Sequence, residues 1–364
     1  MNVFYKTLLA STLASLTLVS AQADDATNQN QNQNQNQNKS NVETSYGNID
    51  SERGNTMQSQ QASDDVLILY GKLNITAQYN DVYDMDNATS ETSNTIQSNQ
   101  SRLGVKGGYQ ITDSLQAFYT IEYKVDTSSD SSDNFTARNQ FVGLRGDFGS
   151  LAVGRNETIF KRSEGKVDQF NDLDGDIDRL FKGQNRMAQT ATYLTPDMNG
   201  FRIGATYVAD AEAKQYGENG YSVAAFYGDK ALKKTMFYAS VAYDDNIKGY
   251  EIIRATAQVK IMKLKLGAMY QQQEETYDSS GAVSGDRDNG YLLSAAYPIK
   301  DFTLKAQYQD MEEVGQSWAA GFDYKLAKPT KLLAFWIDRT YDSEYTGNGK
   351  QTDKYFAVGI EQKF

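Results

Sequence analysis

The last ten residues, Tyr355-Phe356-Ala357-Val358-Gly359-Ile360-Glu361-Gln362-Lys363-Phe364, alternate. Phe356, Val358, Ile360 and Phe364 fall on one face, interrupted only by Gln362, while Ala357, Gly359, Glu361 and Lys363 fall on the other. A period of two is a β-strand, here apolar on one side and small or charged on the other. Closing on an aromatic residue, such a strand fits a membrane-spanning β-barrel better than a soluble sandwich.

Met1 to Ala23 carries one lysine, Lys6, then an apolar run from Thr7 to Val19 and the small-residue site Ala21-Gln22-Ala23. This predicts a secretory signal over 1–23. The alternative, an anchoring helix, is disfavoured because Ser11, Thr12, Ser15 and Thr17 dilute a run that is already short. Removing 1–23 deletes one lysine and no acid, taking the formal net charge from -11 to -12.

The composition narrows the class. The 364 residues are 23% charged, with a mean hydropathy of -0.63. No stretch approaches the roughly 20 apolar residues of a membrane helix. A barrel escapes that test, since strands of about 9–11 residues need an apolar side chain only at every second position. Twenty-five Tyr and sixteen Phe against two Trp suit aromatic girdles, and three prolines suit a long ladder. With neither Cys nor His, the chain offers no disulfide, Ser-His-Asp triad, cysteine nucleophile or ordinary transition-metal site, and it implies no cofactor. Carboxylate-pair hydrolysis passes this filter, but no spacing supports it, so no enzyme is expected. Forty-seven acidic against 36 basic side chains argue against a nucleic-acid partner.

Residues 24–65 contain an Asn/Gln tract from Asn28 to Asn38 and almost nothing apolar. Such a segment cannot offset its ordering entropy, so a disordered periplasmic tail is expected. From 66 to 364 the chain is one domain of about sixteen alternating segments, running from 66–80 through 232–245 to 354–364. Short turns such as Thr112-Asp113, Gly149-Ser150 and Lys300-Asp301 alternate with longer polar connections at 81–98, 127–133, 157–184, 276–286 and 342–353. The expectation is an all-β transmembrane antiparallel barrel of 16 strands, with turns on one rim and loops on the other. Closure pairs every backbone group, which lipid demands.

Several stretches resemble the opening strands of Gram-negative general diffusion porins. They are Leu69-Tyr70-Gly71-Lys72-Leu73, Ser101-Arg102-Leu103-Gly104-Val105-Lys106-Gly107, Ala137-Arg138-Asn139-Gln140-Phe141-Val142-Gly143-Leu144 and Phe148-Gly149-Ser150-Leu151-Ala152-Val153-Gly154-Arg155-Asn156. The resemblance covers about 66–364; the middle strands match in pattern alone. It implies a homotrimer in outer-membrane lipid and lipopolysaccharide, passing ions and small hydrophilic solutes by passive diffusion. It also implies that the third loop folds into the lumen and faces a basic wall. Carried over by position, that wall is Lys72, Arg102, Arg138 and Arg186. The loop acids are Asp168, Asp172, Asp174 and Asp176, followed by Asp178. The family's Pro-Glu-Phe-Gly-Gly stretch is replaced here by Phe170-Asn171-Asp172-Leu173-Asp174-Gly175-Asp176.

A 28-residue connection in a compact domain is rare unless functional. Facing rows of acid and base across a water-filled gap would set up a transverse field. Alternatives stay open residue by residue. Arg102, Arg138 and Arg186 could balance wall carboxylates, Arg155 could tie the loop root, and Lys166, Arg179 and Lys182 could pair with the loop acids. The Asp172-x-Asp174-x-Asp176 spacing suggests a calcium loop, yet Ile177 stands where glycine is needed. The five loop aspartates predict a modest cation preference. The rival readings are a substrate-selective channel and a structural or adhesive barrel.

Overall fold

A computed structural model describes residues 65–364 apart from 85–88, 210–218, 279–280, 284 and 348. The expected signal at 1–23 lies outside the described residues, as does the expected tail at 24–65 except Asp65, where the first strand begins.

Sixteen antiparallel strands form the wall. They are β1 (Asp65–Asp84), β2 (Thr89–Ser98 continued by Arg102–Thr112), β3 (Leu115–Val125), β4 (Phe135–Gly146), β5 (Gly149–Glu157), β6 (Arg186–Leu194), β7 (Phe201–Val208) and β8 (Tyr221–Gly228). The other eight are β9 (Phe237–Ile247), β10 (Tyr250–Ile261), β11 (Leu264–Glu275), β12 (Arg287–Ile299), β13 (Phe302–Met311), β14 (Gly315–Lys325), β15 (Thr330–Tyr341) and β16 (Gln351–Lys363). Each strand pairs with the next in sequence. β16 then pairs with β1 from Lys72↔Lys363 to Asp81↔Lys354, which closes the sheet. The Gly71 and Phe364 amides complete the seam by exchanging hydrogen bonds, Gly71 N to Phe364 O at 2.9 Å and Phe364 N to Gly71 O at 3.1 Å.

The alternation sorts the side chains as expected. Phe356, Val358, Ile360 and Phe364 are exposed outward, whereas Ala357 and Glu361 are buried. Two outward aromatic girdles frame the apolar belt. Tyr123, Phe135, Tyr207, Tyr221, Tyr270 and Tyr291 lie toward the loop rim; Phe148, Phe201, Tyr227, Phe237, Tyr297, Phe302 and Phe322 lie toward the turn rim. Amphipathic rings of this kind settle at the two lipid–water boundaries.

Three local expectations change. The stretch 81–98, read as a loop, is largely ladder: Thr89–Ser98 pairs with Ile75–Asp84. Its Ser/Thr-rich sequence, mostly exposed, has no apolar periodicity to betray a strand. The segment 232–245 begins its strand only at Phe237. Ahead of it the chain wraps around Asp229, whose carboxylate accepts from the N–H groups of Ala231, Lys233 and Lys234. Leu232, which looked like a strand residue, instead turns into an apolar cluster inside the barrel. The rims are also less regular than a strict long–short alternation. The loop-rim connections β9–β10 and β13–β14 are short, and the turn-rim connection β8–β9 is long.

Candidate functional site

Residues 158–185 leave β5 and return to β6 inside the barrel. Gly154 prepares the departure: its φ is +132°, and a Cβ there would lie 2.4 Å from the Gln140 carbonyl oxygen. Thr158 then caps the short helix Ile159–Ser163 by accepting from the Lys161 N–H at 3.2 Å.

Although polar at first reading, the loop buries eight apolar side chains against the wall. Ile159 and Phe160 pack with Phe226, Leu232, Tyr238 and Ile252. Phe170 and Leu173 pack with Phe335, Ile337 and Tyr355. Val167, Ile177, Leu180 and Phe181 pack with Met269, Leu292 and Met311. Each fully buried side chain of this size contributes about 1.5–3 kcal/mol relative to exposure. Polar wall side chains fix the path. Gln258 accepts from the Lys166 N–H (2.8 Å), Gln307 from the Gln169 N–H (2.7 Å) and Gln273 from the Lys182 N–H (3.1 Å), while Gln309 donates to the Gly175 carbonyl (2.8 Å).

Two of the four basic residues meet the loop tip. Lys72 Nζ lies 2.6 Å, and Arg102 Nη2 2.5 Å, from the same Asp172 carboxylate oxygen. Burial pushes the Asp172 carboxyl up, but the Arg102 and Lys72 charges outweigh it and hold it below the ordinary range. Acid and base are thus in direct contact here, with no water-filled gap between them. Asp172 has a φ of 70°, a conformation that Asp tolerates better than most residues. Its N–H donates to Asp176 at 2.7 Å.

The other two basic residues pair with wall carboxylates. Arg138 Nε donates to Glu122 at 2.7 Å, and its Nη1 reaches Gln100 Oε1 at 2.7 Å. Simple alternation would put Arg138 on the face of Val142 and Leu144, toward lipid. A bulge prevents this: Ile121 faces Gln140 but Tyr123 faces Ala137, so Arg138 and Asn139 together oppose Glu122. Arg186 pairs with Glu157 at 2.6 Å and donates to Asn139 at 2.8 Å. Glu157 is itself surrounded by Arg186, Lys161, Arg162 and Arg138. Arg155 donates to the Ala137 carbonyl at 3.3 Å.

The remaining loop acids turn away from this basic group. Asp168 accepts from the N–H groups of Phe170 (2.8 Å) and Ile177 (2.9 Å), and burial pushes its carboxyl up to about 7. Asp174 accepts from Gln78 (2.7 Å) and Arg179 (3.1 Å), and its carbonyl accepts from Arg339. Asp176 caps the turn Ile177–Arg179, and burial beside Asp168 and Asp178 raises it well above the usual range. The Asp172, Asp174 and Asp176 carboxylates therefore serve three separate sets of partners. Lys182 lies over the Tyr250 ring at 5.3 Å.

Sequence reasoning missed Glu122, Glu157 and Gln100. Glu122 was findable, because Tyr119, Ile121 and Tyr123 mark the opposite face of β3 as the outward one. Gln100 sits at φ 53° in the break within β2 and joins Arg102 to Arg138. Nothing in its neighbours announces that.

Known proteins point the same way. The profile of the Gram-negative porin family matches residues 56–344. The major outer membrane protein P.IB of Neisseria meningitidis serogroup B is 24% identical over 297 residues, spanning 75% of this chain and 86% of that protein. Outer membrane porin N of Escherichia coli (strain K12) is 27% identical over 326 residues, spanning 72% and 85%. The structure of an anion-selective porin from Comamonas acidovorans superposes with a TM-score of 0.64 at 19% identity, covering 82% of this chain and all of that one. At that identity the likeness is one of fold.

Proposed function

The chain belongs to the Gram-negative porin family, an outer-membrane barrel for passive diffusion, and from that premise we propose an anion-preferring pore narrowed by residues 158–185. The carrying observation is the disposal of charge inside the barrel. Of the loop carboxylates expected to favour cations, Asp168 and Asp176 are buried, Asp174 is bonded to Gln78 and Arg179, and Asp172 is paired with Lys72 and Arg102; Asp178 stays exposed beside Arg179. Around Glu157 the fold gathers four cations, Arg138, Arg186, Lys161 and Arg162, while the carboxylates bonded to Arg138 and Arg186 are Glu122 and Glu157. Fixed charge in a narrow water-filled passage raises the local concentration of the opposite ion. Lys72, Arg102, Arg138 and Arg186 form the basic wall of the constriction in this reading. Of the loop acids, Asp172 alone shares it, while Asp168, Asp174 and Asp176 shape the loop.

The solutes are small and hydrophilic, since an apolar solute would have to strip water from paired charges. Three barrels associate, each conducting by itself, with the loop rim outside in the lipopolysaccharide leaflet. Residues 1–23 direct export, and 24–64 serve as a polar periplasmic tail ahead of the first strand. No catalytic step is assigned.

The test is planar-bilayer recording across a tenfold KCl gradient. Ohmic steps closing in threes, with a reversal potential of anion-selective sign, are expected. Three-step closure with a cation-selective sign would keep the channel and discard the charge argument. Silence from correctly folded protein would discard the channel and favour a structural barrel.

A further inference from the structure

A cavity of about 440 Å³ lies between the loop segment 166–173 and the turn-side half of the wall. Six lysines line it, Lys166, Lys230, Lys233, Lys265, Lys305 and Lys331, against three carboxylates, Asp168, Asp323 and Glu361. Two of those carboxylates are already shared. Asp323 lies 3.0 Å from both Lys305 and Lys331. Glu361 serves Lys72 at 3.6 Å, Lys331 at 3.7 Å and Lys363 at 3.2 Å. The third, Asp168, is occupied by loop amides. Lys260 stands directly across the ladder from Lys265, adding another cation at the same rim.

The lysines come from four separate places: the loop, the 229–236 turn, β11 and the β13–β15 wall. Like charges gathered so closely repel one another. A monovalent ion relieves one or two of them, whereas an anion with several charged oxygens reaches several at once. A water molecule takes about 30 Å³ of liquid, so the space admits a phosphate- or pyrophosphate-sized anion together with water. An acidic cluster, Asp286, Asp288, Glu312 and Glu313, stands on the loop rim. Anions therefore meet local repulsion beside that cluster and attraction at the turn-side mouth.

We propose that this turn-side vestibule is a binding site for a small multivalent oxyanion, a role that rests on the pore reading above for access but not for affinity. The probe is inorganic pyrophosphate, titrated calorimetrically into the folded, detergent-solubilised protein and separately added to each side of a bilayer. Saturable binding with one site per barrel is expected, together with current block at least tenfold more sensitive from the turn side. The double variant K166Q/K265Q should weaken both by at least tenfold, each single variant by less, and K248Q on the loop rim should change neither. Binding that survives K166Q/K265Q, or no saturable binding at all, would overturn the site. Should the double variant fail to fold, undiminished binding by both single variants would overturn it equally. Calorimetry needs no open pore, so binding without channel steps would sink the channel reading alone. Channel steps without binding would sink this site alone.

Discussion

Arg102 Nη2 stands 2.5 Å from an Asp172 oxygen that Lys72 Nζ also approaches to 2.6 Å, so one loop carboxylate bridges two cations of the wall. The side chains are between 12% and 20% exposed, close enough to water for their charge to be felt in the lumen.

Replacing Asp172 with Asn keeps its volume and uncovers that pair of cations. A unit charge a few ångströms away acts with about 1 kcal/mol in water-like surroundings, which is roughly a fivefold change in ion preference. Asp172→Asn should therefore raise the anion-to-cation permeability ratio by about two- to fivefold. The measurement is the reversal potential in a KCl gradient. An unmoved potential removes Asp172 from the permeation path.

Acidity should act on the loop through two carboxyls in opposite directions. Asp168 is raised to about 7, by burial first and by the Glu164 charge, against hydrogen bonds from the Ile177 and Phe170 amides. Asp176 faces it from the loop and Lys305 from β13. A carboxyl raised in the folded state favours the packed loop while protonated. Its contribution is complete below the ordinary value near 3.8 and is lost as pH climbs through about 7. Asp172 is depressed, so its contribution is present above the ordinary value and lost only as pH falls through its lower folded value. Hydrogen exchange at the Phe170 and Ile177 amides, corrected for intrinsic rate, should show protection falling from about pH 4 to about pH 7 and level above that. Asp168→Asn should flatten that profile. A profile as steep in the variant as in the parent would reject Asp168 as its source.

The barrel was legible because its signal is periodic and repeated. Phe356, Val358 and Ile360 announce their face in any strand register that puts lipid on one side. Thr89–Ser98 was illegible for the opposite reason: outside the lipid belt both faces meet water, so no alternation is required. The basic wall came from likeness, and Arg138 shows the limit of periodicity, since a single bulged residue reverses its face. The loop was misread by composition. Counting its aspartates suggested a charged surface, while Ile159, Phe160, Val167, Phe170, Leu173, Ile177, Leu180 and Phe181 carried its fold. Eight apolar residues spread over three wall contacts make no helix or strand period, so their partners show only in three dimensions.

The Arg138–Glu122 pair makes a prediction about stability. Both side chains are buried, at 10% and 7% exposure, and Glu122 also accepts from the Tyr70 hydroxyl at 3.1 Å. Removing one partner of a buried pair costs about 3–5 kcal/mol, because the other charge is left uncompensated. Arg138→Ala should lower the barrel's melting temperature and Glu122→Gln should restore much of the loss in the double variant. Additive losses in the cycle would show that the bulge, and not the charge pairing, positions Arg138.

Phe170 separates loop docking from barrel formation. Its ring is fully buried among Phe335, Ile337 and Tyr355, with Lys305 Nζ 5.0 Å from its centroid. A Cβ on Gly175 would stand 2.9 Å from Phe170 Cβ, so the space is already full. Truncation of such a side chain costs about 3–5 kcal/mol. The strand ladder, closed by β1 with β16, includes none of these loop residues. The cost of Phe170→Ala should therefore fall on the docked loop and leave the wall intact. Single-channel conductance should rise, loop amides should exchange faster, and the barrel's melting temperature should hold within a few degrees. A barrel that melts early while its loop amides remain protected would show instead that the loop is part of the folding core, with Phe170 holding the wall together.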